Sequence, residues 1–265
     1  MRFDEVLEIP RRKRGSLLAF EVMAADPIFD HPRLARLYDP FDPDRSDLDV
    51  YAAMVEEFGA RSVLDVGCGT GTFACQLALR GIDVVAVDPA GASLDVASSK
   101  PGADRVQWVH GVASDLPPIS VDAAFMTANV AQVFLTDEEW DATLRAIHAA
   151  LRHGGRLIFE VRDPSRRAWE AWTPDNTYQE ETIPGEGLVR TWNRVTEVDG
   201  ELVTFVWTFV FEKDGEMIES SSTLRFRGRE DIEKSLVAAG FVVDQVRDAP
   251  DRPGMEFVFV ARRPG

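Results

Sequence analysis

The stretch Val63–Ala74, VLDVGCGTGTFA, sets three glycines at alternate positions, Gly67, Gly69 and Gly71, directly behind an apolar run that carries one acid, Asp65. Glycine inside regular structure costs roughly 1 kcal/mol relative to alanine. Three in succession imply a turn that something must approach closely. A β-branched run that ends in glycines and continues as TFACQLALR, closed by Gly81, reads as strand, tight turn and helix. Such a turn leaves a ligand lying against bare backbone and the unpaired N–H groups of a helix start.

Working outward, SDLDVYAAMVEEFGA places Leu48, Tyr51, Ala52, Val55 and Phe58 on one helical face, and Gly59 ends it. DVVAVD and RVQWVH read as strands with the short helix ASLDVAS between them, and VDAAFMT is another strand. TDEEWDATLRAIHAALRHGG carries the capping-box pair Thr136 and Glu139 and is expected to stop at its glycines, before the strand RLIFEV. Strands alternating with helices imply βαβ units and a parallel sheet. After Asp163 the pattern changes to three strand-like runs separated by Asp199-Gly200 and Asp214-Gly215, a hairpin signature. The Trp and Phe content of 187–227 requires that one face be covered, either beside a pocket or by a second subunit. REDIEKSLVAAGF reads as a helix, followed by the strand pair VVDQV and EFVFVA.

The glycine spacing departs from the dinucleotide fingerprint: Thr72 stands where the third glycine would be. Asp65 would repel a pyrophosphate and could receive a cationic group. Asp88, at the end of the second strand, is placed to accept hydrogen bonds from ribose hydroxyls, the alternative being a cap on the next helix. Asp115, in GVASDLPP, could accept from an exocyclic amine. These residues together describe an adenosine with a cationic tail and no phosphates.

The chain carries 45 acidic and 29 basic residues, a formal net charge of −16, which disfavours nucleic acid as a partner. The basic run Arg11–Arg14 reads as a solvated terminal segment, with a targeting patch as the alternative. Cys68 and Cys75 lack metal-ligand spacing, so neither a metal nor a disulfide is expected. No apolar run approaches the roughly 20 residues of a membrane span, and the protein reads as soluble and cytoplasmic.

VLDVGCGTG, VVAVDPA, ASDLP, AAFMTANVAQVF and LRHGGRLIFEVRDP resemble the successive motifs of the class I S-adenosylmethionine-dependent methyltransferases, over about Tyr38–Asp163. The resemblance implies an α/β Rossmann-like fold with a seven-stranded sheet in the order 3-2-1-4-5-7-6, the seventh strand antiparallel. It divides the chain into an N-terminal helical lid segment (1–45), a cofactor-binding core (46–163), an antiparallel β insertion (164–227) and a C-terminal helix and strand pair (228–265). It implies S-adenosyl-L-methionine as cofactor, S-adenosyl-L-homocysteine as product and a small-molecule acceptor methylated on N or O. The alternatives are a protein or RNA methyltransferase, a non-catalytic adenosyl-cofactor-binding protein, or a dehydrogenase; a homodimer is a further reading of the hairpin face.

Carried over residue by residue, the resemblance gives the cofactor Tyr38, Arg45, Asp65, Gly67, Cys68, Gly69, Gly71, Asp88, Pro89, Asp115, Leu116 and Asn129. LYDPFDPDRSDLDVY resembles the family's lid, with Tyr38 near the sulfonium and Arg45 paired with the methionine carboxylate. The bottom-up alternatives are a packing aromatic and a surface salt bridge. Val112 departs from the family, which often has an acid there. Tyr38 and Gln132 are the expected positioning residues for catalysis, with Asn129, Arg162 and Asp163 the other candidates on the loops after strands four and five. A histidine often stands near the position of Gln132 in related N-methyltransferases. His31, His110, His148 and His153 have no motif around them.

Overall fold

A computed structural model describes residues 25–265; the basic run Arg11–Arg14 lies outside the described residues. The described chain opens with three one-turn helices, α1 (Pro27–Asp30), α2 (Pro32–Ala35) and α3 (Tyr38–Phe41), followed by α4 (Asp47–Glu57). Then come β1 (Ser62–Val66), α5 (Thr72–Leu79), β2 (Asp83–Asp88), α6 (Gly91–Ala97), β3 (Val106–His110) and β4 (Val121–Met126). Next are α7 (Asp137–Ala150) and β5 (Leu151–Arg162). A short helix α8 (Pro174–Thr177) precedes β6 (Gln179–Ile183), β7 (Gly187–Asp199), β8 (Leu202–Phe211) and β9 (Met217–Arg225). The chain closes with α9 (Arg229–Ala238), β10 (Val242–Asp248) and β11 (Glu256–Arg262). Among the described residues no helix is long and apolar enough to cross a membrane.

Seven strands form one sheet in the order β3-β2-β1-β4-β5-β11-β10, and β11 runs antiparallel to both its neighbours. This is the expected Rossmann-like order, the last two strands crossing as sixth and seventh. Val63 and Leu64 point to opposite faces, so both sides of the sheet are apolar. Trp140, Leu144 and Ile147 of α7 with Ile232 and Leu236 of α9 cover one side. Tyr51 and Val55 of α4 with Phe73 and Leu77 of α5 cover the other. Strands buried on both faces explain the continuous apolar runs.

The hairpin region is a separate four-stranded antiparallel sheet, β6-β7-β8-β9. The three sequence runs are β7, β8 and β9. Edge strand β6, QEETI, is exposed at four of its five residues, and so shows no apolar alternation. At the first Asp-Gly turn Asp199 still pairs with Leu202, and only Gly200, at φ +59°, enters left-handed space. Helix α7 ends at Ala150, short of the glycines: Gly154 and Gly155 instead lie within β5, whose first residue Leu151 pairs with Val121.

The second sheet's apolar face is covered by the N-terminal helices. Ile28, Leu34 and Leu37 pack with Val189, Phe209 and Phe211. Arg33 fixes this arrangement: its guanidinium lies 3.5 Å from the Phe211 ring centroid and pairs with Glu186 at 2.6 Å, Asp214 at 2.8 Å and Glu216.

The three fingerprint glycines have different work. A Cβ at Gly71 (φ +73°) would stand 2.5 Å from the Trp108 ring and 2.7 Å from Ala97; one at Gly67 (φ +70°) would stand 2.6 Å from Val130. At Gly69 (φ +51°) a Cβ would meet nothing within 4 Å. Gly71→Ala should therefore cost about 2–4 kcal/mol, from overpacking plus left-handed strain, and Gly69→Ala only about 1 kcal/mol. Urea unfolding of the two variants checks this, and equal losses would contradict the assignment of Gly71 to packing.

Candidate active site

A cavity of about 540 Å³ opens at the carboxyl ends of the central strands. Open α/β sheets bind ligands there because the strand order reverses between β1 and β4. Its floor is Val66, Gly67, Cys68 and Gly69 after β1, Asp88 and Pro89 after β2, and Thr127–Val130 after β4. Tyr38 and Arg45 line it from the N-terminal segment. Its far wall is the second sheet, through Asn193, Phe205, Trp207 and Ser222 among others. The covered face of the hairpin region is thus a pocket wall as well as a seat for α1 and α2.

The floor is tightly tied. The N–H groups of Gly67 and Cys68 donate to the Val87 carbonyl at 2.8 and 3.3 Å. Asp88 accepts from Gly69 N–H at 2.7 Å through one oxygen and from Ala90 N–H at 2.8 Å through the other. Asp88 thus caps the following turn and also holds the glycine loop, while it still lines the cavity. An ionised carboxylate offers about four acceptor sites, so two remain for a ligand. Burial pushes its pKa up, and the two backbone donors oppose the shift.

Asp65 lies beneath this floor. It is 1% exposed, and neither carboxylate oxygen has a partner. Burial, reinforced by the nearby Asp88 charge, raises its pKa to about 7, and Arg45 opposes the shift. Cys68 lines the cavity as a thiol, its pKa also raised by burial.

Ala128 and Asn129 adopt φ of +56° and +60°, unusual for residues with side chains. The strained turn is held from below. Asn129 N–H donates to Glu160 Oε1 at 2.9 Å and its Nδ2 donates to Glu256 Oε1 at 3.3 Å, leaving Oδ1 unpartnered. Burial raises Glu160 to about 7. These two acids lie on β5 and β11, which the sequence reading treated only as core.

Several expected residues lie elsewhere. Gln132 is 1% exposed and does not line the cavity; its Oε1 accepts from Arg162 Nη1 at 2.9 Å, and Arg162 does line it. Gln132 therefore stands behind Arg162. Gly71, Asp65, Leu116 and Asp115 are also outside the lining. Asp115 is exposed and accepts Val112 N–H at 3.0 Å, closing a short turn. Val112, Gly111 and Ala113 line the cavity from that loop. Arg45 lines the cavity, but its guanidinium already hydrogen-bonds Asp47 at 3.2 and 3.3 Å and lies 3.7 Å from Asp42. Tyr38 is half-buried, and burial raises its pKa. Asp163 accepts Ser165 N–H at 2.9 Å and is not in the lining. None of the four histidines lines it either.

Helix α3 and the glycine loop share a polar network. Asp39 accepts from Thr70 Oγ1 at 2.7 Å and pairs with Lys100 at 2.6 Å, while Lys100 donates to Thr72 Oγ1 at 2.6 Å.

Comparison with known proteins places this geometry. Residues 63–155 match the methyltransferase domain family. The match runs from β1 into β5 and takes in the glycine turn, Asp88 and the Ala128–Asn129 turn. A relative of known activity, the cypemycin N-terminal methyltransferase of a Streptomyces species, is 39% identical over 106 residues, 40% of this chain and 43% of that protein. The chain spans less than half the length of the first curated relatives it matches. Among solved structures, the sugar N-methyltransferase KedS8 of a Streptoalloteichus species superposes with TM-score 0.69 at 21% identity, over 97% of this chain and all of that one. The S-adenosylmethionine-bound amino pentose methyltransferase CalS10 of Micromonospora echinaspora superposes with TM-score 0.64 at 23% identity, covering 83% and 93%. The fold is shared across the second sheet as well as the core.

The buried acid of this domain generates a pH signature. The folded-state pKa of Asp65, about 7, lies above its ordinary 3.8, so the neutral form favours the fold. That contribution is complete below about pH 4 and is lost as pH rises through 7. Asp65→Asn, neutral throughout, should match the unliganded parent near pH 4 and exceed it above pH 7 by up to about 4 kcal/mol. Urea unfolding across this range measures the difference, and equal stability at pH 8 would contradict it.

Proposed function

We propose that this protein is an S-adenosylmethionine-dependent methyltransferase acting on a nitrogen or oxygen atom of a small molecule. The observation that carries the reading is the two-ended cavity. One end has bare glycine backbone and Asp88, with the unpartnered Asp65 beneath them; the other is an aromatic and polar sheet face. Its volume is in the range of small-molecule sites, and the wall formed by the second sheet favours a compact acceptor over a protein or RNA. The net charge of −16 supports the same choice.

The residues fit an adenosyl sulfonium on the structure's own terms. Oδ1 of Asn129 is buried and unpartnered in the lining, which a hydrogen-bonding ligand would relieve, and the unpartnered Asp65 carboxylate beneath the floor favours positive charge above it. Asp88 would take the ribose hydroxyls, and Gly67 and Gly69 would lie against the ligand without side chains. When bound, the cofactor supplies a methyl group activated by positive sulfur.

The protein's share of the chemistry is placement and exclusion of water. Holding donor and acceptor in line is worth roughly 7–11 kcal/mol in favourable cases. Tyr38 offers a hydroxyl and a ring face to a cation. Gln132 fixes Arg162, and Glu160 and Glu256 fix the Ala128–Asn129 turn. We assign the lid to the segment before Ser46, the cofactor core to 46–163 with the C-terminal strand pair, and acceptor choice to the inserted sheet.

Asp88→Ala should weaken S-adenosylhomocysteine binding at least tenfold, since a well-oriented hydrogen bond to a charged group is worth about 1.5–3 kcal/mol. Calorimetric titration measures it. Failure of the unaltered protein to bind either adenosyl ligand would end the proposal.

A further inference from the structure

The wall formed by the second sheet has a chemical bias of its own. In register across it run Asn193, Trp207 and Ser220, and one step along, Val195, Phe205 and Ser222. Asn193, Phe205, Trp207 and Ser222 all line the cavity. Asn193 is 5% exposed, and its Oδ1 has no partner. Its backbone is clamped from α8, where Thr177 Oγ1 accepts its N–H at 2.9 Å. The backbone is thus fixed and the buried amide oxygen unsatisfied.

Asp26 completes this end. It begins α1, which is anchored on the sheet by Ile28 N–H donating to Ser220 Oγ at 2.8 Å. Among the described residues three acids line the cavity: Asp26, Asp88 and Glu139. Asp88 is engaged by two backbone N–H groups, and Glu139 accepts Thr136 N–H at 3.1 Å in the α7 capping box. The Asp26 carboxylate makes no cap bond to α1 and, among the described residues, faces the Ser222 hydroxyl. Burial raises its pKa, and the Ser222 hydroxyl opposes the shift. The two lining arginines are committed elsewhere, Arg45 to Asp47 and Arg162 to Gln132 and the Trp172 face.

We propose that this end of the cavity is a subsite for a protonated amine on the acceptor, with Asp26 as counter-ion, Asn193 Oδ1 as hydrogen-bond acceptor and the Trp207 and Phe205 rings as a cation-binding wall. The elements are a carboxylate, an amide oxygen and aromatic faces, the combination that replaces water around an ammonium group. A neutral hydroxyl in the same place would leave Asp26 without its ion pair. The inference rests on the small-molecule methyltransferase reading and narrows it to amine-bearing acceptors.

The test uses the full chain, saturated with S-adenosylhomocysteine, and two probes sharing one ring: methyl 3-amino-3-deoxyglucopyranoside and methyl glucopyranoside. The unaltered protein should bind the amine at least tenfold more tightly than the alcohol. Asp26→Asn, which keeps shape and the Ser222 contact, should bring the ratio close to one. Asn193→Ala should weaken amine binding several-fold. Both variants should bind S-adenosylhomocysteine like the parent, which controls for folding and reports the cofactor end separately. No preference for the amine in the parent protein, or a preference that survives Asp26→Asn, overturns the subsite. Loss of S-adenosylhomocysteine binding by the parent would instead refute the function on which the subsite rests.

Discussion

Two hydrogen atoms stand where side chains would otherwise be, and the site depends on them. At Gly67 the absent Cβ admits Val130, and at Gly71 it admits Trp108 and Ala97. The turn after β1 is thereby pressed between the β4 loop on one side and β3 with α6 on the other. That compression brings the glycine loop, Asp88 and the strained Ala128–Asn129 turn around one cavity. The middle glycine, with open space beside it, is the one that leaves backbone uncovered toward a ligand.

The electrostatics follow from the same crowding. The strand ends place Asp65, Asp88, Glu160 and Glu256 within the protein, each less than a tenth exposed. Backbone donors and arginines compensate some of them: Asp88 has two N–H groups, and Glu256 has Arg252 at 2.7 Å. Asp65 has neither. An acid in that state is stabilised in its neutral form until a positive group arrives, so the unliganded fold carries a cost that a cationic ligand removes.

Much of this was legible from residue order. The core strands and helices announced themselves by continuous apolar runs and glycine stops, and the sheet order followed from the motifs of a known family. What stayed hidden was mostly polar and non-local. β6 has no apolar alternation because four of its five residues face solvent. Gln132, next to a loop of the right kind, turned inward to hold Arg162, and nothing in TANVAQVF distinguishes inward from outward. Glu160 and Glu256 look like ordinary strand-end acids until pairing of β5 with β11 brings them under Asn129. Asp115 carried a plausible role by spacing, and the structure spends it on its own turn.

The packing of the first helices on the inserted sheet also joins distant parts of the chain. Ile28 and Ser220, which hydrogen-bond, are 192 positions apart, and the apolar layer around Phe209 and Phe211 has Leu34 and Leu37 as its cover. A sheet with one apolar face uncovered is not stable by itself. Closing so long a loop carries an entropic charge that nearby contacts must first offset. The central sheet, built largely from adjacent strand–helix units, can form on its own contacts. The wall formed by the second sheet, by contrast, is complete only where the beginning of the described chain meets its last third, so that end of the cavity rests on non-local contacts.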